Sequence, residues 1–212
     1  MAYEYTLDDG AASGVGGGSA AFGNVLTLVN DACEQLGLGT QTVVYASTDP
    51  NVVQIRALLK QEGRRLLMER AWLQLVTEHT FNTVAATASY ALPGDFSRMV
   101  NQTAWNQTTD RRFVPLGGQA WQYLKATGNT PTLHALFRPR SGTFEIYPTP
   151  TAAETVVFEY LSQYWVASSG SATADKDAPT ADTDTVLFDP TLMVAGLKLA
   201  FLKAKGFDAT SA

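Results

Sequence analysis

Residues 49–84 read DPNVVQIRALLKQEGRRLLMERAWLQLVTEHTFNTV, and within this stretch the hydrophobic repeat changes. Val52, Ile55, Leu59, Leu66 and Leu73 recur on one helical face, widened by Leu58 and Leu67. Asp49 is placed to cap that helix. Pro50 fits its first turn, where a missing N–H leaves no bond unmade. Gly63 lies inside the helix at a cost of about 1 kcal/mol against alanine, which predicts the close approach of another helix there. From about Thr77 the period falls to two, the spacing of a strand with one buried face.

Towards the N-terminus, a first helix is predicted from Val25 to Leu36. Asn24 caps it, Val25, Leu28, Val29, Ala32 and Leu36 form its stripe, and Gly37 takes the left-handed position that ends it. Residues 1–22 read as an arm. Gly10, Gly14, Gly16, Gly17 and Gly18 stand among Ala and Ser, punctuated by Tyr3, Tyr5, Leu7, Val15 and Phe22. Such a segment buries too little to order itself and is expected to be pinned by a neighbouring subunit.

Towards the C-terminus, strands are predicted at Thr80 to Val84, Ser89 to Leu92, Phe96 to Trp105, Arg111 to Val114, Thr132 to Phe137, Thr143 to Tyr147 and Thr155 to Trp165. A short helix, Gln119 to Ala126, interrupts them and closes at Gly128. A polar linker follows. The last helix repeats the earlier start signal with Asp189 and Pro190 and carries Met193, Leu197, Ala200, Phe201 and Ala204 on one face, with Gly206 beyond its end. The expected organisation is an arm (1–22), a helical region (23–76), a β domain (77–166), a linker (167–181) and a returning C-terminal helix (182–212). The expected fold class is α+β: helices from both chain ends packed as a bundle, with a small antiparallel β domain inserted between them.

The 212 residues, 45% of them hydrophobic, can bury a core without cross-links, and the single cysteine, Cys33, allows no internal disulfide. A net charge of -5 argues against a dedicated DNA-binding surface. The first basic residue is Arg56, so no positive leader region precedes the chain's first helix, and Lys198 and Lys203 break the late apolar run Leu192 to Ala204. No membrane partner and folding in a cytosol are expected.

Chemistry-bearing patterns are sparse. His79 and His134 lack partners at metal-ligand spacing, and Cys33 lies on an apolar stripe. No catalytic set, cofactor site or metal site is expected. Trp105, Trp121, Tyr123, Tyr147, Tyr160, Tyr164 and Trp165 suit either a sheet core or a stacking platform for sugars. Asp175, Asp177, Asp182 and Asp184 read either as a solvated linker or as an acidic channel lining that repels passing DNA. Arg56, Lys60 and Arg64 recur every fourth residue, as a solvated helix face or as an interface for an acidic partner.

The order of segments resembles a known family. Lys60 to Trp72 (KQEGRRLLMERAW) is followed by Phe81, by Ser89 to Phe96 (SYALPGDF) and by Asn101 to Trp105. Then come Phe144 to Pro150 (FEIYPTP), Phe158-Glu159-Tyr160 leading to Trp165, Ala181 to Asp184, and Lys203 to Gly206. This order, over residues 24–206, resembles the bacteriophage head-to-tail adaptor proteins, also called connector or tail tubular A-like proteins. The resemblance implies a structural virion protein and not an enzyme, made in the host cytoplasm and placed at the head-tail junction. It implies a homo-oligomeric ring of twelve, bound to the portal protein on its helical side and to a tail or nozzle protein on its β side. Double-stranded DNA would pass through without specific binding during ejection. Candidate subunit or portal interface residues are Tyr3, Tyr5, Phe22, Arg56, Lys60, Arg64, Lys198, Lys203 and Lys205, with the four aspartates as candidate channel lining. The alternatives are another tail or baseplate structural protein, or a carbohydrate-binding module using the aromatic block.

Overall fold

The computed structural model describes residues 22–129 and 134–207. Two helices open the described chain, α1 (Val25–Gln35) and α2 (Pro50–Glu69). Asn24 accepts from Thr27 N at 2.8 Å, and Asp49 accepts from Asn51 N at 2.7 Å, so both helices start where their caps stand. α2 ends at Glu69, and Leu73 belongs to a separate 3-10 turn, Leu73–Leu75. Leu73 is 87% exposed, so it is no part of the buried face assigned to it from the spacing.

The strands are β1 (Val76–Asn82), β2 (Ser89–Ala91), β3 (Phe96–Met99), β4 (Trp105–Asn106), β5 (Arg111–Pro115), β6 (Ala135–Arg140), β7 (Thr143–Tyr147) and β8 (Thr155–Ser162). A helix, α3 (Gly118–Thr127), lies between β5 and β6. These strands form one sheet in the order β1-β8-β4-β5-β6-β7-β2, with β3 pairing β8 beside β4. All pairs are antiparallel except β5–β6, which is parallel, with α3 as the crossover.

Ring geometry shows that this sheet is curled. β8 and β7 are separated by β4, β5 and β6, which would set them about 19 Å apart in a flat sheet. Yet Phe144 of β7 and Phe158 of β8 stack with centroids 5.2 Å apart and planes at 3°. Phe137 of β6 stacks on the other side of Phe144 at 4.8 Å. At the two ends of the sheet, Phe81 of β1 meets Tyr90 of β2 at 4.9 Å. The curl encloses one core: Ala104, Phe113, Phe137, Phe144, Ile146, Val156, Phe158 and Tyr160.

A second core lies between the helices and the chain that leaves β8. Two short strands, β9 (Val166–Ala167) and β10 (Thr185–Val186), pair there, followed by α4 (Pro190–Ala204). α4 packs against both α1 and α2. Leu161, Trp165, Val166, Ala167, Val186 and Phe188 join Leu28, Val29, Ile55, Leu59, Leu66, Met193 and Leu197 in this core. β8 serves both cores: Val156, Phe158 and Tyr160 point into the curl, and Leu161 points to the helices.

The expected bundle with a small inserted antiparallel β domain is therefore corrected. Among the described residues the fold is mostly a curled, mixed eight-stranded sheet with four helices. The helices do not make a self-contained bundle, because strands and the segment after β8 fill a large part of their core. Periodicity detects single strands but carries no information on which strands pair or how far a sheet curls.

Gly63 explains how the two parts meet. A Cβ at this position would overlap the six-membered ring of Trp165, which is fully buried. The close neighbour is thus an indole from the end of the sheet and not another helix. Trp165 also stacks on Phe188 at 5.8 Å, and Phe188 meets Trp72 at 5.2 Å. Replacing glycine by alanine in a helix normally gains about 1 kcal/mol. Overpacking a filled core loses about 1–3 kcal/mol, so Gly63→Ala is expected to destabilise the protein. A urea unfolding curve with a lower midpoint is the expected result; a raised midpoint contradicts the packing described.

Candidate assembly interface

An apolar groove is open on the helical layer. It lies between α2 and α4, has a volume of about 580 Å³, and is lined by Leu58, Gln61, Glu62, Arg65, Leu199, Ala200 and Lys203 among others. Gly196 sets its floor, because a Cβ there would overlap the Glu62 carboxyl. Glu62 is 5% exposed and is compensated by Arg65, whose Nε donates to Oε2 at 2.8 Å. Arg65 also reaches Glu69, so one guanidinium bridges two carboxylates along α2. Leu199 is 36% exposed at the groove, and Lys198 and Lys203 make no ion pair among the described residues.

The candidate cations have several fates. Arg56 donates to the Tyr45 carbonyl at 2.9 Å and sits over the Tyr45 ring at 5.3 Å. Burial pushes the Tyr45 hydroxyl up to about 12, and that hydroxyl donates to the Pro179 carbonyl. Lys60 is half-buried, and Arg64 faces Asp177 at 3.7 Å with both side chains exposed. The cation that pairs with Glu62 and Glu69 is Arg65, outside the row of every fourth residue. Lys205 donates to Asn51 at 3.1 Å, tying the end of α4 to the start of α2. Phe22 is half-buried against the helical core of its own chain. Tyr3 and Tyr5 lie outside the described residues.

The four candidate lining aspartates divide into two kinds. Asp175 and Asp177 are exposed, and Asp175 accepts from Ser168 N at 2.8 Å. Asp182 accepts from Val44 N at 3.1 Å and Tyr45 N at 2.8 Å, holding the loop before α2. Asp184 is 1% exposed and accepts from Lys176 Nζ at 2.8 Å, Thr180 N at 2.7 Å and Ala181 N at 3.0 Å. A channel-lining role for Asp184 is therefore corrected: its carboxylate is turned inward and committed to its own loop. Spacing in the sequence gives no sign of this, because a buried clamp and a solvated acidic run share one composition.

The aromatic block is divided between core and surface, with Tyr147 and Tyr164 half-buried. Trp121, Tyr160 and Trp165 are buried, while Trp105 and Tyr123 remain exposed at 40% and 63%. His79 packs on Phe158 at 5.3 Å, where burial lowers its pKa. Burial pushes the Cys33 thiol up, which suits an inert core residue. No group of three or more potential metal ligands and no helix long and apolar enough to cross a membrane occur among the described residues.

The family described as SU10 adaptor protein matches residues 23–212, which takes in every described helix and strand. The chain belongs to this phage adaptor family. No curated protein matches it. Adaptors of this family are structural phage proteins, so the surfaces of this member are to be read first for contacts with other virion proteins. The match also covers Asp182 and Asp184, the residues that tie the loop before α2 and the approach to α4 together.

That tie has a pH signature. Burial alone would raise the Asp184 pKa, but the Lys176 ammonium and the backbone N–H groups of Thr180 and Ala181 outweigh it and hold the carboxyl below its ordinary value. A depressed folded-state pKa gives stability that is present above the unfolded value and lost as pH falls through the folded one. Asp184→Asn, which leaves Lys176 unpaired, is expected to destabilise by about 3–5 kcal/mol at neutral pH. In denaturant titrations the wild-type advantage should vanish only below the ordinary carboxylate range. A gap that closes near neutrality contradicts this assignment.

Proposed function

We propose that this adaptor is a head-to-tail connector subunit: copies form a ring that joins the portal to the tail and continues the DNA channel. The observation that carries the reading is the match over residues 23–212, in which the helical layer and the curled sheet belong to one adaptor unit. The ordered segments that resemble the connector or tail tubular A-like proteins support the same reading. In a ring of twelve, each subunit presents two different lateral surfaces that close by rotation. The helical layer, with its open groove and with Lys198 and Lys203 free of ion pairs among the described residues, faces the portal and neighbouring subunits. The curled sheet faces the tail or nozzle protein. Asp175 and Asp177, the exposed pair of the acidic run, are the carboxylates left for a lumen wall that DNA passes without binding. The product would reside in the virion at the head-tail junction.

A sugar-binding module has less support, since Trp121, Tyr160 and Trp165 are consumed by packing. Another tail or baseplate position would share the fold but not the portal partner. Native mass spectrometry of the full chain, alone and with its portal protein, tests the proposal. A ring-sized complex whose copy number follows the portal is expected. A monomer that ignores the portal overturns it.

A further inference from the structure

The groove between α2 and α4 has a chemical complement elsewhere in the chain. Its floor is apolar and small, with Gly196, Ala200 and Ala204 spaced every fourth residue along α4. Leu58 and Leu199 form apolar walls, and Lys203 and the adjacent Lys198 put cations around it, while the Arg65 guanidinium is taken up by Glu62 and Glu69. Residues 1–21, which lie outside the described structure, hold Glu4, Asp8 and Asp9 and no Lys or Arg. Tyr3, Tyr5 and Leu7 alternate with Glu4, Thr6 and Asp8. In an extended segment this alternation puts Tyr3, Tyr5 and Leu7 on one face and Glu4 and Asp8 on the other.

The dimensions agree. Gly196 to Ala204 runs about 12 Å along α4. Tyr3 to Leu7 spans about 13 Å when extended. Residues 8–21 follow, a Gly-, Ala- and Ser-rich spacer that reaches up to about 48 Å.

We infer that residues 3–9 of a neighbouring copy of this chain lie in the α2–α4 groove. Tyr3, Tyr5 and Leu7 rest on the small-residue floor, and Glu4 and Asp8 face Lys203 and Lys198. The placement of the donor in a neighbouring copy rests on the ring reading above. It explains why a large apolar side chain and two lysines with no ion pair among the described residues border a groove on a protein whose first nine residues hold three acids and no Lys or Arg. In the ring it links each subunit to the next by an arm that adds interface without new folded surface.

Two single-cysteine additions test it, with buried Cys33 left in place as a silent background. Full-length Tyr5→Cys and full-length Leu199→Cys are mixed and oxidised mildly, so that a hybrid disulfide can form only between copies. A disulfide-linked dimer of the two variants is expected. It should be at least several-fold more abundant than with Leu73→Cys, an exposed position on the turn after α2, in place of Leu199→Cys. Adding Lys203→Glu to the Leu199→Cys chain should reduce the product several-fold, and Glu4→Lys in the Tyr5→Cys chain should restore it. Hybrid product no greater than with Leu73→Cys, or unchanged by Lys203→Glu, overturns the placement. Native mass spectrometry of the same mixture separates the two levels of inference. Rings without the cross-link overturn the arm placement alone, and a mixture that gives neither overturns both.

Discussion

The contact between Trp165 and the backbone of α2 at Gly63 is the constraint on which the rest of the structure depends. β8 lies between β1 on one side and β3 and β4 on the other, and three residues beyond its end the chain inserts an indole against the helical layer. Only a glycine lets α2 come that close. Phe188 and Trp72 then continue the aromatic stack towards α4 and the start of β1. The curled sheet and the helices are thereby locked at the C-terminal end of β8, where Leu161 and Trp165 enter the helical core while Val156, Phe158 and Tyr160 fill the sheet core.

Polar contacts complete what packing begins. The segment 182–188 donates and accepts backbone bonds with the start of α1: Val25 N to Asp184 O at 2.9 Å, Leu26 N to Asp182 O at 3.1 Å and Val186 N to Gly23 O at 3.0 Å. Its two inward carboxylates secure the loop before α2 and the turn at 176–181. Buried carboxylates are costly unless every lone pair finds a donor, and here Lys176 and the backbone supply them. For an adaptor this matters mechanically. In the connector role proposed above, a subunit would have to hold two contact faces at a fixed angle, which a hinge between sheet and helices would not do.

Much of the local structure is legible in the sequence. Asn24, Asp49 and Asp189 cap their helices, and Gly37 and Gly128 take the positive φ values of 70° and 64° that end α1 and α3. The strand at Thr143–Tyr147 follows directly from its alternation. The global arrangement is not legible, for physical reasons. β9 and β10 have two residues each and exist only because they pair across a loop. The curl is set by aromatic contacts between strands far apart in the sheet, and the parallel β5–β6 pair depends on treating α3 as a crossover. At the candidate interface, charge patterning singled out Lys198 and Lys203 of α4 but missed Arg65 of α2 and the apolar groove between the helices, which arises from the pairing of Gly196 with Glu62. Asp182 and Asp184 show the converse. Their composition suggested solvent or a lumen, and only their backbone donors reveal a clamp.

Native-state hydrogen exchange of the full chain tests most directly whether the sheet and helices form one unit joined at Trp165. Amides of Phe158 to Leu161 in β8 and those around Gly63 in α2 are expected to open together, with the same free energy and the same response to denaturant. Two separate classes, with β8 exchanging through an opening that leaves α2 protected, would contradict the account.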